Sequence, residues 1–562
     1  MWRWLSPVNR RAFPEQAKNH VVVAAALCVA CAALRLPGLR ALPVFNDEAI
    51  FLRISVLVRE APIERAFLSL QEANPPFHTW LLALAGPFSN DPVLSGRLLS
   101  VLLGLLTIAA FFALARKINR ASSASRWAGS GPAAATLLLV CCPFAALAQR
   151  MARMDALFLL ENALVALVAV LLVSARSRSR ILALGLVLGL LMGATMLTRQ
   201  NVSYVLWALP ILALILLPGE RQLPPTALFA SLLAALVLAT VLWAPMLITK
   251  LGPDLGTRIF HLQAAREAMP VAARWNLAAH HAGETLSWLA TYLTPPVLLL
   301  SAAGLVWLAL RRRRVFLFLV AWIGILLLPL LFFATVFFPR YALPAVLPLL
   351  YAGGEFLAVL AAWLFSRPIP RPARVVASGL LFVAALAWPA LDCLRQIADW
   401  KTMPLASEDR WQLVSGWPAG AATEVAAAYL EAEARRRPAV VITSPDSGNP
   451  PDALWLLLLD KPGVALHGGP SLGEQLLPAF GEGSVLLRGD PRLNPTARPT
   501  RLQEEAAVYF VSREKVITHE GLRPAEQVWR PANPELSAVL RFENPPYPDG
   551  RPGDAVLIWR LR

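Results

Sequence analysis

Charge is scarce in this chain. Only 16% of its 562 residues are Asp, Glu, Lys or Arg, whereas a soluble protein carries about a quarter. Hydrophobic residues make up 57% of the chain, and the mean hydropathy is +0.55. The composition therefore excludes an ordinary soluble protein and predicts a polytopic α-helical membrane protein.

Several other features are rare or missing. Only five cysteines occur, and none lies in the long polar C-terminal part, so no disulfide framework is indicated. The sequence shows no internal repeat of fixed period, and no Gly-rich phosphate loop on the side predicted below to be cytoplasmic. The net charge of +16 does not indicate a nucleic-acid partner, because many basic residues lie in short loops between apolar runs.

About eleven apolar segments approach the ~20 residues needed to cross a bilayer. They are Val21–Leu36, Leu94–Ala115, Ala133–Leu147, Ala156–Val173, Ile181–Leu197, Val202–Leu217, Ala227–Ile248, Leu286–Leu310, Val315–Phe338, Ala342–Phe365 and Val375–Leu391. The run His78–Phe88 follows two prolines and is too short to cross, so it is predicted to be a helix lying in the membrane interface.

Lys and Arg concentrate in the N-terminal tail and in four later loops that fall on the same side when the spans are counted, and this side is predicted to be cytoplasmic. The chain is thus predicted to be a multi-pass protein of the plasma (inner) membrane with a cytoplasmic N-terminus. Residues 1–394 form a transmembrane domain and residues 395–562 an extracytoplasmic soluble α/β domain. In the latter we predict a helix at Ala421–Arg436 and strands at Ala439–Thr443, Gly483–Leu487, Ala507–Val511 and Ala555–Leu561.

Two adjacent carboxylates, Asp47 and Glu48, lie in the first outer loop, within the mostly apolar run Leu42–Ala49. Ionised groups near the hydrocarbon zone are costly and usually serve a cavity or a substrate. Carboxylates and arginines on one membrane face suit an anionic, phosphate-bearing substrate whose transfer needs a base. The accompanying external elements are Asn74–His78, Arg97 and Gln149–Asp155.

Five short motifs occur in a fixed order along the chain. They are Asn46-Asp47-Glu48-Ala49, Pro75-Pro76-Phe77, Gly96-Arg97-Leu98-Leu99-Ser100, Asp155, and Pro339-Arg340-Tyr341-Ala342-Leu343-Pro344. Over roughly residues 20–395 the chain resembles glycosyltransferases of the GT-C fold, in the branch of protein O-mannosyltransferases and aminoarabinose transferases. The resemblance implies transfer of a sugar from a polyprenyl-phosphate carrier to a lipid, glycan or protein acceptor, with inversion at the anomeric carbon.

The resemblance also implies roles for individual residues. Asp47 is the general base, Glu48 shapes the catalytic site, and Asp155 contacts the acceptor or a metal. A divalent cation is left open, because some members of the wider fold use one and others do not. One departure is Asn74, where relatives carry His or Lys before the two prolines. Phosphate binding then depends more on the other donor-phosphate candidates, which are Arg97, Arg340, Arg150 and His78.

Each role has a simpler structural alternative. The two carboxylates could only begin an interfacial helix, Asp155 could only cap the fourth span, and the arginines could snorkel to headgroups. Glu161 and Asn162 inside the fourth span could form a helix–helix contact. The tetrapeptide Ser415–Pro418 is interpreted as a solvated turn without chemistry. A zinc site at His280 and Glu284, with His281 beside them, has no evident third ligand nearby other than His261.

Two functions of other classes remain as alternatives. A transporter or flippase of a lipid-linked sugar would place ionisable groups near the midplane and show repeated halves, whereas the carboxylates here lie at one face. A membrane-anchored binding protein would not need eleven spans. The sequence leaves open which sugar and which acceptor are used, and whether the C-terminal domain recognises the acceptor or covers the site.

Overall fold

The computed structural model describes residues 13–72, 74–122, 130–199, 204–217, 225–250, 271–334, 336–444, 448–467, 507–518, 521–529 and 537–560. The chain divides into two compact units. The helical unit contains Met1–Pro37, Ser100–Arg150 and Met154–Gln396. The mixed unit contains Gly38–Leu99, Met151–Arg153 and Ile397–Arg562.

Fifteen α-helices occur among the described residues up to 398. They are α1 (Phe13–Arg35), α2 (Asn46–Glu60), α3 (Phe77–Ala85), α4 (Pro92–Ser122), α5 (Ser130–Val140), α6 (Pro143–Ala148), α7 (Met154–Val173), α8 (Arg178–Thr198), α9 (Ala208–Leu216), α10 (Pro225–Lys250), α11 (Val271–Leu293), α12 (Pro295–Arg311), α13 (Arg313–Phe333), α14 (Val346–Phe365) and α15 (Arg371–Ala398). Short 3₁₀ turns lie at Leu68–Glu72, Gly86–Phe88, Tyr204–Trp207, Pro339–Tyr341 and Leu343–Ala345.

Within the described ranges, seven helices are long and apolar enough to cross a membrane, or eight if one bent pair counts as a single span. Two shorter apolar helices lie at His20–Arg35 and Ser130–Val140. The prediction of a helical membrane protein is confirmed at this level, while the count of eleven spans stays a prediction.

The predicted span Leu286–Leu310 is not one continuous helix. The structure instead has two helices, α11 and α12, that meet at Thr294 with a bend of 114°. Pro295 and Pro296 follow at the break. Proline lacks the N–H that a continuing helix needs, and it disfavours helical geometry in the residue before it. Hydropathy alone does not register this break.

Close helix contacts within the helical unit depend on small residues. Helix α8 carries Gly185, Gly189 and Gly193 at four-residue spacing on the face toward α10. A Cβ atom at Gly189 would lie 2.7 Å from the backbone oxygen of Ala235. This is the small-residue spacing by which apolar helices approach closely in membranes.

The part of the mixed unit after residue 397 contains helices and strands. The helices are α16 (Ser407–Arg410), α17 (Ala421–Ala434), α18 (Pro451–Leu458) and α19 (Ala525–Trp529), with a π turn at Trp411–Ser415. The strands are β1 (Ala439–Thr443), β2 (Val464–His467), β3 (Ala507–Arg513), β4 (Lys515–Thr518), β5 (Gly521–Pro524), β6 (Ser537–Glu543) and β7 (Ala555–Arg560).

Five of these strands form one sheet in the order β2-β1-β3-β7-β6. Strand β1 pairs in parallel with β2 and β3, whereas β7 runs antiparallel to β3 and β6. Every residue of β1 and β3 is buried, as expected for the inner strands of a covered sheet. The core includes Leu430 of α17, Leu454 of α18 and Ile558 of β7.

Several predicted elements are confirmed here. The helix predicted at Ala421–Arg436 is α17, and the strands predicted at Ala439–Thr443, Ala507–Val511 and Ala555–Leu561 are β1, β3 and β7. The strand predicted at Gly483–Leu487 lies outside the described residues. The division of the chain at residue 394 stays a prediction. The sequence did not predict that Gly38–Leu99 belongs to the same compact unit as the C-terminal part.

Candidate active site

The two adjacent carboxylates begin helix α2 in the mixed unit. Phe45 is extended, with φ −73° and ψ 151°, and the helix starts at Asn46. Carboxylates are favoured in the first turn of a helix, where backbone N–H groups are unpaired. Consecutive helical residues point about 100° apart, so Glu48 is fully buried while Asp47 is only half-buried. The two neighbours therefore have different environments.

Glu48 accepts four hydrogen bonds. Its Oε1 accepts from Arg97 Nε and from the backbone N–H of Ala152, both at 2.8 Å. Its Oε2 accepts from Arg97 Nη2 at 2.7 Å and from the Phe45 N–H at 3.3 Å. Burial alone would raise the pKa of Glu48, but the charge and hydrogen bonds of Arg97 outweigh it and hold the pKa below the usual carboxyl value. Glu48 is therefore ionised at neutral pH.

Arg97 uses all five of its N–H donors within the mixed unit. Besides the two bonds to Glu48, its Nη1 donates to the carbonyl oxygens of Leu39 and Leu42, and its Nη2 donates to that of Pro43 at 3.2 Å. The side chain is 0% exposed. No donor is left for the phosphate that the sequence assigned to Arg97. The geometry instead makes Arg97 the residue that fixes the loop before α2.

Gly96 allows this arrangement at the start of α4. A Cβ atom at this position would lie 2.6 Å from Leu52 Cδ2 and 2.7 Å from Ala152 Cβ, closer than real Cβ contacts come. Close packing therefore requires glycine at position 96, and the buried charge of Glu48 requires the arginine at position 97.

The amide Nδ2 of Asn46 donates a hydrogen bond to Asp47 Oδ1 at 3.3 Å. The guanidinium of Arg153 lies over the Phe45 ring, with 5.0 Å between its carbon and the ring centroid. Asp47 is partly exposed, whereas the other residues from Leu42 to Ala49 are buried.

His78, the fourth donor-phosphate candidate, belongs to α3 in the mixed unit and is 0% exposed. Its ring packs nearly perpendicular to that of Phe51, with centroids 5.2 Å apart. Helix α3 has nine residues, so the predicted helix at this point is confirmed in existence, while its position in the interface stays a prediction. The backbone N–H of Asn74 donates to Ser69 O at 3.0 Å.

In the helical unit, Asp155 lies in the first turn of α7 and pairs with Arg199 after the end of α8, at 3.2 Å. Both side chains are nearly buried. The Arg199 guanidinium also lies 4.7 Å from the centroid of Tyr341. Arg340 lies over the rings of Phe338 and Tyr341, at 4.7 Å and 5.6 Å. Within this unit the structure therefore brings the Asp155 motif and the Pro339–Pro344 motif together.

Sequence reasoning missed Arg199. The signal was present, because Arg199 is a lone basic residue at the predicted outer end of the span Ile181–Leu197. Arg150, the remaining phosphate candidate, donates from Nη1 to the carbonyl oxygens of Arg35 and Pro37 at 2.8 Å and 2.7 Å. It therefore holds the C-terminal end of α1, where unpaired carbonyl groups favour a cation.

Two other polar sets have structural partners. Glu161 Oε1 accepts from Thr198 Oγ1 at 2.7 Å, which is a contact between α7 and α8, and Asn162 Nδ2 donates to Phe158 O within α7. His280 pairs with Glu284 at 3.4 Å, and His281 Nδ1 lies 3.0 Å from Leu331 O.

His261 lies outside the described residues. Among the described residues, no group of three or more His, Cys, Asp or Glu side chains could hold a metal ion.

Residues 73–248 match the family model described as dolichyl-phosphate-mannose-protein mannosyltransferase. The matched segment contains His78, Arg97, Arg150 and Asp155, and it excludes Asp47, Glu48 and Arg340. No protein of curated function matches the chain in sequence.

Solved structures of two other proteins resemble this chain over nearly its whole length. ArnT from Cupriavidus metallidurans in the apo state superposes with a TM-score of 0.53 at 15% identity, covering 97% of this chain and 98% of ArnT. The same enzyme bound to undecaprenyl phosphate gives the same values. The oligosaccharyltransferase AglB from Archaeoglobus fulgidus, with an inhibitory peptide and a dolichol-phosphate, gives 0.50 at 12% identity over 96% of this chain and 74% of AglB. This chain has the GT-C fold. The resemblance stated from the sequence motifs is confirmed by these matches.

Proposed function

We propose that this GT-C protein is a membrane glycosyltransferase that moves a sugar from a polyprenyl-phosphate donor to an acceptor at the outer face of the membrane. The transfer inverts the anomeric carbon, and Asp47 is the general base. The observation that carries the proposal is the contrast between the two carboxylates at the start of α2. Glu48 is buried and accepts four hydrogen bonds, whereas Asp47 is partly exposed and accepts a hydrogen bond from Asn46.

The comparisons support the substrate class. The matched family model names a dolichyl-phosphate-mannose donor. One solved structure of the same fold holds undecaprenyl phosphate, and another holds a dolichol-phosphate and a peptide. The polyprenyl phosphate is common to these three, and a lipid, glycan or protein serves as the acceptor here. Nucleotide sugars are not supplied at the outer face, which also favours a lipid-borne donor.

The reaction can be written with Asp47 alone as the proton acceptor. The acceptor oxygen attacks the anomeric carbon and forms the new glycosidic bond. The bond from that carbon to the phosphate oxygen breaks on the opposite face, and the polyprenyl phosphate leaves with the electron pair. The proton of the acceptor hydroxyl passes to Asp47. A positioned base of this kind contributes roughly 10²–10⁴ in rate.

The remaining roles are proposed with different support. Arg97 and Glu48 act as positioning residues, because their hydrogen bonds are used within the mixed unit. Of the four donor-phosphate candidates, Arg340 is half-buried whereas the other three are buried, so Arg340 is the best placed to meet a ligand. Asp155 stays proposed as a contact for the acceptor or for a divalent cation, oriented by Arg199.

The test uses the purified protein in lipid nanodiscs with radiolabelled polyprenyl-phosphate sugars and a membrane extract as acceptor. An enzyme releases free polyprenyl phosphate in proportion to the sugar that appears on the acceptor. NMR of the isolated product should show the anomeric configuration opposite to that of the donor. If labelled lipid crosses the bilayer without any release of the carrier, the protein is a transporter and the proposal is wrong.

A further inference from the structure

A loop of the C-terminal part reaches the first turn of α2 within the mixed unit. The loop contains Gly448 and Asn449 and leads into α18. Gly448 has φ +86°, a conformation that favours glycine, and a Cβ atom there would collide with the side-chain oxygen of Asn46. The residue next to Asp47 is therefore in close contact with a loop that lies about 400 positions further along the chain.

The amide of Asn46 is held at both ends. Its Oδ1 accepts from the backbone N–H of Asn449 at 2.8 Å, and its Nδ2 donates to Asp47 Oδ1 at 3.3 Å. A backbone N–H can only donate, so it requires the oxygen of the amide on its side. The nitrogen must then face Asp47. The orientation of the donor to Asp47 is thus set by the backbone of Asn449.

The side chain of Asn449 fixes the same segment a second time. Its Nδ2 donates to Pro418 O at 2.7 Å and to Val44 O at 3.1 Å. Pro418 O also accepts the backbone N–H of Asn46 at 3.0 Å. Asn449 is 1% exposed. The Ser415–Pro418 segment, interpreted from the sequence as a solvated turn, is therefore part of this buried contact.

The loop is itself anchored on both sides. Arg513 at the end of β3 donates from Nε to Asn449 O at 2.6 Å, and its guanidinium lies 3.8 Å from the ring centroid of Trp417. On the other side, Asp452 Oδ2 accepts from the Gly448 N–H at 2.6 Å. Asp452 also forms an ion pair with Arg53, two turns into α2. The loop and α2 are joined at Asn46 and again at Arg53.

We propose that Asn449 is a positioning residue for Asp47, acting through Asn46, and that the C-terminal part is a working component of the catalytic site. This rests on the proposed role of Asp47 as the base. It is a third role beside the two left open by the sequence, which are recognition of the acceptor and coverage of the site. A base must lie within hydrogen-bond reach of the proton it takes, and a misplacement of about 1 Å can cost about 100-fold in rate.

The test compares Asn449→Ala and Asn46→Ala with a matched control, Asn119→Ala. Asn449→Ala keeps the backbone N–H that donates to Asn46 but removes the side-chain bonds to Pro418 O and Val44 O that hold this N–H in place. Asn119 is also a buried asparagine, but it lies in the helical unit and bonds to Glu355 Oε1 and Arg312 Nη1, at 3.0 Å and 2.9 Å. We expect kcat to fall about 10- to 100-fold in the first two variants, with little change in KM for the donor. The control should lower the Tm to a similar degree and leave kcat unchanged.

The double variant Asn46→Ala/Asn449→Ala should be little worse than either single variant, because both act on the same carboxylate. Unchanged kcat in Asn449→Ala, an equal loss of kcat in the Asn119→Ala control, or fully additive losses would overturn the proposal. If Asn449→Ala does not accumulate as folded protein, Asn46→Ala tests the proposal instead. It should show the lower kcat with little change in KM for the donor.

The Asp47→Asn variant distinguishes an error in the role of Asn449 from an error in the role of Asp47. If Asp47→Asn removes turnover while Asn449→Ala leaves kcat intact, Asp47 is the base but does not depend on Asn449. If Asp47→Asn keeps full turnover, the base is another residue and both proposals are wrong. In the Asp47→Asn background, adding Asn449→Ala should not lower the residual rate further.

Discussion

Glu48 and Arg97 form a buried bidentate ion pair, with 2.7 Å between Oε2 and Nη2 and 2.8 Å between Oε1 and Nε. Both side chains are 0% exposed. The pair joins the start of α2 to the start of α4, and its remaining hydrogen bonds hold the loop between Leu39 and Phe45. The position of Asp47 depends on this pair, because Asp47 lies between that loop and Glu48.

Replacing Glu48 by Gln should destabilise the fold strongly. The change keeps the shape of the side chain but leaves the Arg97 charge buried without its partner, which typically costs about 3–5 kcal/mol. Thermal unfolding in detergent measures the loss. Glu60→Gln is the matched control on the same helix, since Glu60 is an exposed partner of Arg65. Equal Tm values for the two variants would contradict the assigned role of Glu48.

The stability difference between wild type and Glu48→Gln should depend on pH. Because the pKa of Glu48 in the folded protein lies below the ordinary value of 4.5, the unfolded state binds this proton more readily. The advantage of the wild type is complete above that ordinary value, and it shrinks as the pH falls from there toward the folded pKa. Unfolding measured over a pH series should show a constant gap near neutrality. A gap that already narrows above about pH 6 would mean that the pKa of Glu48 is raised.

Gly96→Val should disrupt the start of α4. The added side chain would overlap Leu52 and Ala152, and overpacking of this kind costs about 1–3 kcal/mol or more. Gly379→Ala in α15 is the control, because no heavy atom lies within 4 Å of its added Cβ. That variant should keep or raise the Tm, since Ala is the better helix former. A stable Gly96→Val protein with normal turnover would argue against the close packing described here.

Asp155 and Arg199 should be energetically coupled. Each single change, Asp155→Asn or Arg199→Gln, removes one charge of a buried ion pair, whereas the double variant removes both charges. The double variant should therefore be more stable than the sum of the two losses predicts, and Tm values from the four proteins of the cycle measure this. Additive losses would show that the pair contributes no coupling.

Short apolar runs in the sequence were enough to predict some of the strands. Strand β1 is predicted with its observed bounds because five consecutive apolar or β-branched residues lie between turn residues. The motif residues Glu48 and Arg97 are paired in the structure, whereas the family resemblance had implied a donor phosphate as the partner of Arg97. A short motif identifies residue types that belong together, but the partner of each donor is set only in three dimensions.

The long-range contacts could not be predicted. Asn449 bonds to Asn46 through a backbone N–H, which every residue except proline carries, so no local pattern marks the pair. Strand β6 was missed because its polar ends weaken the apolar alternation. The two prolines that follow Thr294 indicate the break, but an average of hydropathy does not take the effect of proline on helices into account.

The most direct test of the account is single-turnover release of polyprenyl phosphate by wild type and Asp47→Asn in nanodiscs. Asp549→Asn, an exposed aspartate in the C-terminal part, serves as the control. We expect Asp47→Asn to keep the Tm of the wild type and to lose roughly 10²–10⁴ in rate, with the control unaffected. Release at the wild-type rate by folded Asp47→Asn would contradict the central claim that Asp47 is the base.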